Sequence, residues 1–177
     1  MHAARLPVLI AAALAMVVAA CPLAHSQGSS AALRPAETRD GAFVQKAAEA
    51  SMAELELSRI ASEQAQSAEV RAFAQRMVQD HAQSAAELQI IAAHQNIALP
   101  DALSDEHLQL RSELAHERGR RFDSSYMNAM LTDHQTLAKL LRSSEASVST
   151  DELRTYIKKT LALAEHHLRM AEGIATE

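Results

Sequence analysis

Apolar residues recur along this chain at helical spacing on four long stripes, and each stripe is interrupted by one ionisable residue. Phe43, Ala47, Ala50, Leu57 and Ala61 share the first with Glu54, and Val70, Phe73, Met77, Leu88 and Ile91 share the second with His81. Tyr126, Met130, Leu137 and Leu141 share the third with His134, and Leu153, Ile157, Leu161, Ala164, Met170 and Ile174 share the fourth with His167. Apolar positions at i, i+3, i+4 and i+7 mark amphipathic helices. The pattern predicts a first helix from about Ala42 to Gln66 with Asp40 as its N-cap, and a second from Ser67 to about Gln95. A third runs from about Asp123 to Ser143, and a fourth from Asp151 to about Gly173 with Thr150 as its N-cap.

The second and third helices repeat one frame. Phe73, Met77 and His81 fall at i, i+4 and i+8, and so do Tyr126, Met130 and His134, with Asp80 and Asp133 just before the histidines. On a helix this spacing places the imidazole on the side to which the aromatic and the methionine point. Glu54 and His81 lie ~20 Å from the first turn, and His134 and His167 ~20–28 Å from the second, at about 1.5 Å per residue. The four side chains therefore meet near mid-bundle, with His167 up to one helical turn from the others.

Between the hairpins lies a long connection carrying a short helical segment, Ser104–Arg118, with Leu108, Leu110 and Leu114, closed by Gly119. Two hairpins joined in this way predict an all-α, ferritin-like four-helix bundle with a short extra helix between helices 2 and 3; a plain up-down bundle is the competing topology. Composition agrees. The chain of 177 residues has no Trp, and after Gly41 Pro100 is its only proline and Gly119 and Gly173 its only glycines. Long helices with few breaks follow. The net charge of -5 is spread out, and no basic stripe or aromatic platform points to nucleic acid.

The first 26 residues read as a signal peptide: Arg5, then an apolar run over Leu6–Ala20, too short and alanine-rich for a membrane span. Val18-Ala19-Ala20-Cys21 resembles a lipoprotein cleavage box, which would leave a lipid anchor on Cys21, whereas Ala24-His25-Ser26 resembles an ordinary cleavage site. Cys21 is the only cysteine, so no intrachain disulfide exists. Residues 27–39 read as a tether, and 40–177 as the helical domain with no transmembrane helix. Either cut implies an exported protein, periplasmic and, with a lipid on Cys21, anchored to the outer membrane.

Imidazole and carboxylate converging inside a bundle are ligands for a divalent transition-metal ion, and neutral imidazole suits Zn, Cu, Fe or Ni. On this reading Glu54, His81, His134 and His167 bind the ion, and Asp80, Asp133 and Glu165 add ligands or orient the rings. The same spacing fits a second reading, a buried hydrogen-bonded network without metal in a structural or interaction module of the cell envelope. An oxygen-activating di-iron centre ranks last, because its Glu-x-x-His motifs are missing from the central helices. The single Glu-x-x-His, Glu113 to His116, lies with His107 on the connecting helix and reads as solvated surface. His94 suits a helix C-terminus, and His166 points away from His167's face. Met52, Met77, Met130 and Met170 read as core filler rather than soft Cu(I) ligands. No nucleophile elbow, phosphate loop or cysteine pair marks an enzyme.

Four stretches carry a family resemblance: Phe43–Leu57, Val70–His81, Phe122–His134 and Leu161–Ala171, the last containing Glu165-His166-His167-Leu168. Together they resemble the bacterial domain of unknown function 4142 family, whose members are often described as outer-membrane proteins with a ferritin-like four-helix fold. The resemblance implies that fold and an exported location, and it aligns Glu54, His81, His134 and His167 with the family's characteristic polar positions. The family pattern carries Glu before the last histidine, where this chain has His166. No activity follows from the resemblance.

Overall fold

The computed structural model describes residues 38–175. The signal peptide, both cleavage sites, Cys21 and nearly all of the tether lie outside the described residues. Five helices make up the described chain, which contains no strand: α1 (Arg39–Gln64), α2 (Ala68–His94), α3 (Asp105–His116), α4 (Gly119–Ser144) and α5 (Asp151–Ala175). None of them is long and apolar enough to cross a membrane.

Most helix starts, and the end of α2, have a chemical cause. Thr38, not Asp40, caps α1: its hydroxyl accepts from Gly41 N at 3.0 Å, so the helix starts three residues before the apolar stripe suggests. Asp40 reaches across instead, accepting from Ser149 N at 2.9 Å and Ser149 Oγ at 2.5 Å, which pins the start of α1 to the α4–α5 turn. Ser67 caps α2 and Thr150 Oγ1 accepts from Leu153 N at 3.3 Å, as their sequence positions predict. α2 ends in a Schellman motif, with Asn96 at φ 55 and Ile97 N donating to Ala92 O at 2.9 Å. α4 begins at Gly119 rather than Asp123. Gly119 has φ +65, which strains any other residue, and an added Cβ would also come within 3.1 Å of the Gln66 side-chain end, so glycine is favoured here mainly by conformation. Asp123 accepts from Gln66 N at 2.9 Å and Ser67 N at 2.8 Å, tying α4 to the α1–α2 turn.

The four long helices pack in a ring, α1 against α2, α2 against α5, α5 against α4 and α4 against α1, with α3 laid over α1 and α4. Cross-helix contacts fix the directions. Ser58 meets Tyr126 while Glu54 meets His134, so α1 and α4 run antiparallel. Ser84 meets Tyr156 while Asp80 meets His167, so α2 and α5 do too. α2 ends beside the start of α5, where Gln95 Nε2 donates to Thr150 Oγ1, and α4 starts at the opposite end beside Ser67. Residues 95–118 must therefore run the length of the bundle, which is why this connection is long and can hold α3.

The interior is divided into two apolar clusters. One holds Phe43, Leu88, Ile91, Leu141, Tyr156 and Ile157; the other holds Leu57, Phe73, Met77, Phe122, Tyr126 and Met130. On every long helix the step between them passes through polar residues: Ser51 and Glu54, His81 and Ser84, His134, and His167, all buried. A polar layer thus crosses the middle of the molecule.

Candidate metal centre

Each long helix supplies one side chain to the middle of that layer: Glu54 from α1, His81 from α2, His134 from α4 and His167 from α5. Their exposures are 0%, 3%, 1% and 0%. The ring centroids of His81, His134 and His167 are 5.5, 5.5 and 5.2 Å apart pairwise, so His167 shares the level of the other two. One nitrogen of each ring lies within 4.8 Å of one nitrogen of each other ring. In a tetrahedral site with 2.0–2.1 Å bonds, ligand nitrogens stand about 3.3 Å apart.

Hydrogen-bond partners on the far side of each ring decide which nitrogens are free. His134 Nδ1 donates to the Met130 carbonyl at 2.9 Å, since a carbonyl has no proton to give. His167 Nε2 lies 3.0 Å from Asp80 Oδ2. Burial alone would raise the Asp80 carboxyl, but the hydrogen bonds from Arg76 and His167 outweigh it and hold it below its ordinary value. An ionised carboxylate only accepts, so His167 Nε2 is a donor. His81 Nδ1 sits between Glu54 Oε2 at 3.0 Å and Ser51 Oγ at 3.4 Å, while His81 Nε2 is buried with no hydrogen-bond partner. The far side of the cluster is thus anchored, and His134 Nε2 and His167 Nδ1 face each other at 3.1 Å with both protons already claimed.

Protonation does not relieve this at neutral pH. Burial, then the charges of its neighbours, pushes His81 well below its ordinary value; burial pushes His134 down to about 4. His167 is lowered by burial despite the upward pull of Asp80. Glu54 is raised well above the carboxylate range, by burial first and the charge of Asp133 second. Its Oε2 and Oε1 lie 3.0 and 3.1 Å from His81 Nδ1 and His134 Nδ1, yet off the line of a hydrogen bond. Glu54 therefore faces Nδ1 of both His81 and His134, with burial favouring its neutral form. Two facing lone pairs, on His134 Nε2 and His167 Nδ1, with the His81 ring beside them make a group that could hold a metal ion.

The remaining predicted residues are placed as follows. Asp80 touches the cluster through His167. Asp133, on a face turned about a quarter of the helix away from His134, points to α3, with Oδ2 3.8 Å from His107 Nε2. Glu165 pairs with Arg142 at 2.6 Å on the surface and takes no part. His166 is exposed, its ring 6.1 Å from that of His167. His94 pairs with Glu152, His116 bonds to the Ser112 carbonyl, and Met77 and Met130 fill the core. His107 is not a solvated surface residue. Leu114 anchors α3 in the lower core, which brings His107 to 16% exposure between Glu49 Oε1 at 2.8 Å and Asp133. It is pushed up to about 9, by Asp133 foremost and by Glu49, against partial burial.

Sequence reading passed over the serine–tyrosine pairs that bound the layer. Ser58 Oγ lies 2.8 Å from Tyr126 Oη and Ser84 Oγ 3.0 Å from Tyr156 Oη. Their signal was available: Ser58 follows Glu54 by four residues and Ser84 follows His81 by three, each staying on the buried face.

Compared with known proteins, residues 24–174 match the family model described as domain of unknown function (DUF4142). No curated protein matches the chain. Among solved structures, a DUF305 fragment from Deinococcus radiodurans superposes with a TM-score of 0.69 at 15% identity, covering 76% of this chain and 93% of that one. A DUF305 protein from Streptomyces coelicolor gives 0.68 at 14% identity, covering 78% and 91%. At these identities the likeness is one of helical fold.

Proposed function

Since the chain belongs to the DUF4142 family, which is defined without an activity, we propose from its site that it binds a divalent transition-metal ion through His81, His134 and His167. One observation carries this: His134 Nε2 and His167 Nδ1 stand 3.1 Å apart while Met130 O and Asp80 take the protons on their other sides. A cation between the rings turns that repulsion into coordination. Neutral imidazoles select Zn, Cu, Ni or Fe over Mg or Ca. Glu54 faces Nδ1 of His81 and His134 rather than serving as the principal ligand.

Burial of all three rings supports a carrier, store or protective sink more than catalysis, because a substrate has no way to the ion without helix movement. Carboxylates near the cluster are Glu54 and Asp80, fewer than a di-iron oxidase uses. The full-length crossover between α2 and α4 supports a ferritin-like arrangement, and the apolar run over Leu6–Ala20 supports export to the periplasm. Elemental analysis of untagged protein tests the binding: about one ion per chain is expected, absent from a His81→Gln, His134→Gln variant that keeps its helical circular dichroism.

The serine–tyrosine pairs favour a second reading, in which the whole layer is structural. On that reading the same double variant melts as the parent does and metal leaves melting unchanged.

A further inference from the structure

Resting on the reading of the centre as a metal site, we propose that the groove between α2 and α5 is the port through which the ion reaches it, with His166 and Asp80 as the capturing ligands.

The centre is closed on nearly every side. Of the groups that hydrogen-bond its rings from outside, Ser51 is 4% and Met130 0% exposed, whereas the Asp80 side chain keeps 14%. Asp80 is thus the wet neighbour of the cluster. It also lines a groove of about 390 Å³ between the two helices, together with His166, Glu87, Arg76 and Lys159. The α2–α5 groove reaches the centre through Asp80, whereas another groove near mid-bundle, on the α1–α2 side, is lined by Met52, Leu55 and alanines and holds no carboxylate or imidazole. Asp80 therefore has one oxygen on His167 Nε2, 3.0 Å away, and belongs to the surface that His166 shares.

This arrangement suits stepwise dehydration. A hydrated divalent ion exchanges its waters one at a time, so the lowest barrier is offered by ligands graded from wet to dry. His166 is exposed, Asp80 mostly buried and His167 fully buried, with the His166 and His167 rings 6.1 Å apart. Imidazole and carboxylate of this kind bind the same ions as the centre but with fewer donors, so they hold the ion only in passing. The groove also carries its own competitors. Arg76 is paired with Asp80 and Lys159 with Glu87. Arg76 and His167 share Asp80 Oδ2, so a cation arriving at Asp80 meets the Arg76 charge beside it, which makes Arg76 a brake on uptake.

Stopped-flow loading of the metal-free protein with Co(II), read by the absorption of the imidazole-bound ion, tests the port. Asp80 itself is a poor probe, because removing it also frees His167. His166→Gln is expected to slow loading at least fivefold and to leave final occupancy unchanged. Arg76→Gln is expected to speed it severalfold, and Arg121→Gln, which removes the same charge at the start of α4, to leave it within twofold. Loading of His166→Gln and Arg76→Gln at the parental rate, or equal acceleration by Arg76→Gln and Arg121→Gln, overturns the port and leaves the centre standing. A parent protein that takes up no Co(II) overturns the reading of the centre itself.

Discussion

His134 Nε2 stands 3.1 Å from His167 Nδ1, and neither neutral ring has a proton left for the gap. A buried pair of unsatisfied acceptors costs about 1–3 kcal/mol where nothing sits between them. Two apolar clusters enclose this polar layer, so the fold itself sets the spacing of the rings.

Metal should stabilise the fold. An ion at a hundred times its dissociation constant adds about 2.7 kcal/mol through mass action, because the unfolded chain lacks the assembled site. Thermal unfolding in Zn(II) against EDTA should give a Tm higher by roughly 5–10 °C. An unchanged Tm at saturating Zn(II) would contradict this.

Glu54→Gln should weaken metal binding by about 10–100-fold while leaving a folded bundle, since it removes the carboxyl group facing two ligands but keeps their shape. Competition with a chromophoric chelator measures the loss. Parental affinity in this variant would remove Glu54 from the site.

Ion pairing of His107 makes stability depend on alkaline pH. Its native value of about 9 lies above the ordinary 6.5, so its contribution is whole below pH ~6.5 and is lost as pH rises through 9. Glu49 on α1 and Asp133 on α4 face it from the two helices beneath α3. Partial solvation reduces the effect to roughly 1–2 kcal/mol. Denaturant titrations of metal-free protein at pH 6.5 and 9.5 should show that decrease, and His107→Gln should flatten it. A slope that survives in His107→Gln belongs to another group.

Gly119→Ala should destabilise the protein by about 1–2 kcal/mol, because a side chain at φ +65 strains the backbone and presses on Gln66. A chemical-denaturation midpoint equal to that of the parent would show that the α3–α4 junction relaxes freely.

Much of this fold was legible as periodicity. Stripes anchored by Phe43, Phe73, Tyr126 and Leu153 mark four long helices, and the shared Phe/Tyr–Met–His spacing sets His81 and His134 at one level, where their rings lie 5.5 Å apart. Helix starts were less legible. Asp40 and Thr38 are both good caps, and the choice turned on Ser149, 109 residues away, which takes Asp40 for itself. The level of His167 depends on how α4 and α5 pack, which residue counting from the turn does not contain. His107 looked solvated because nothing local to α3 reveals that Leu114 seats the helix against Glu49 and Asp133. The outward role of Glu54 was hidden for a similar reason: periodicity gives the face of a side chain, not which nitrogen of a neighbouring ring it meets.

X-ray absorption at the zinc edge of fully loaded protein tests the centre most directly. Three imidazoles at 2.0–2.1 Å, with the multiple-scattering pattern of the rings, are the expected first coordination sphere. Coordination by oxygen alone, or by methionine sulfur, would contradict a site made by His81, His134 and His167.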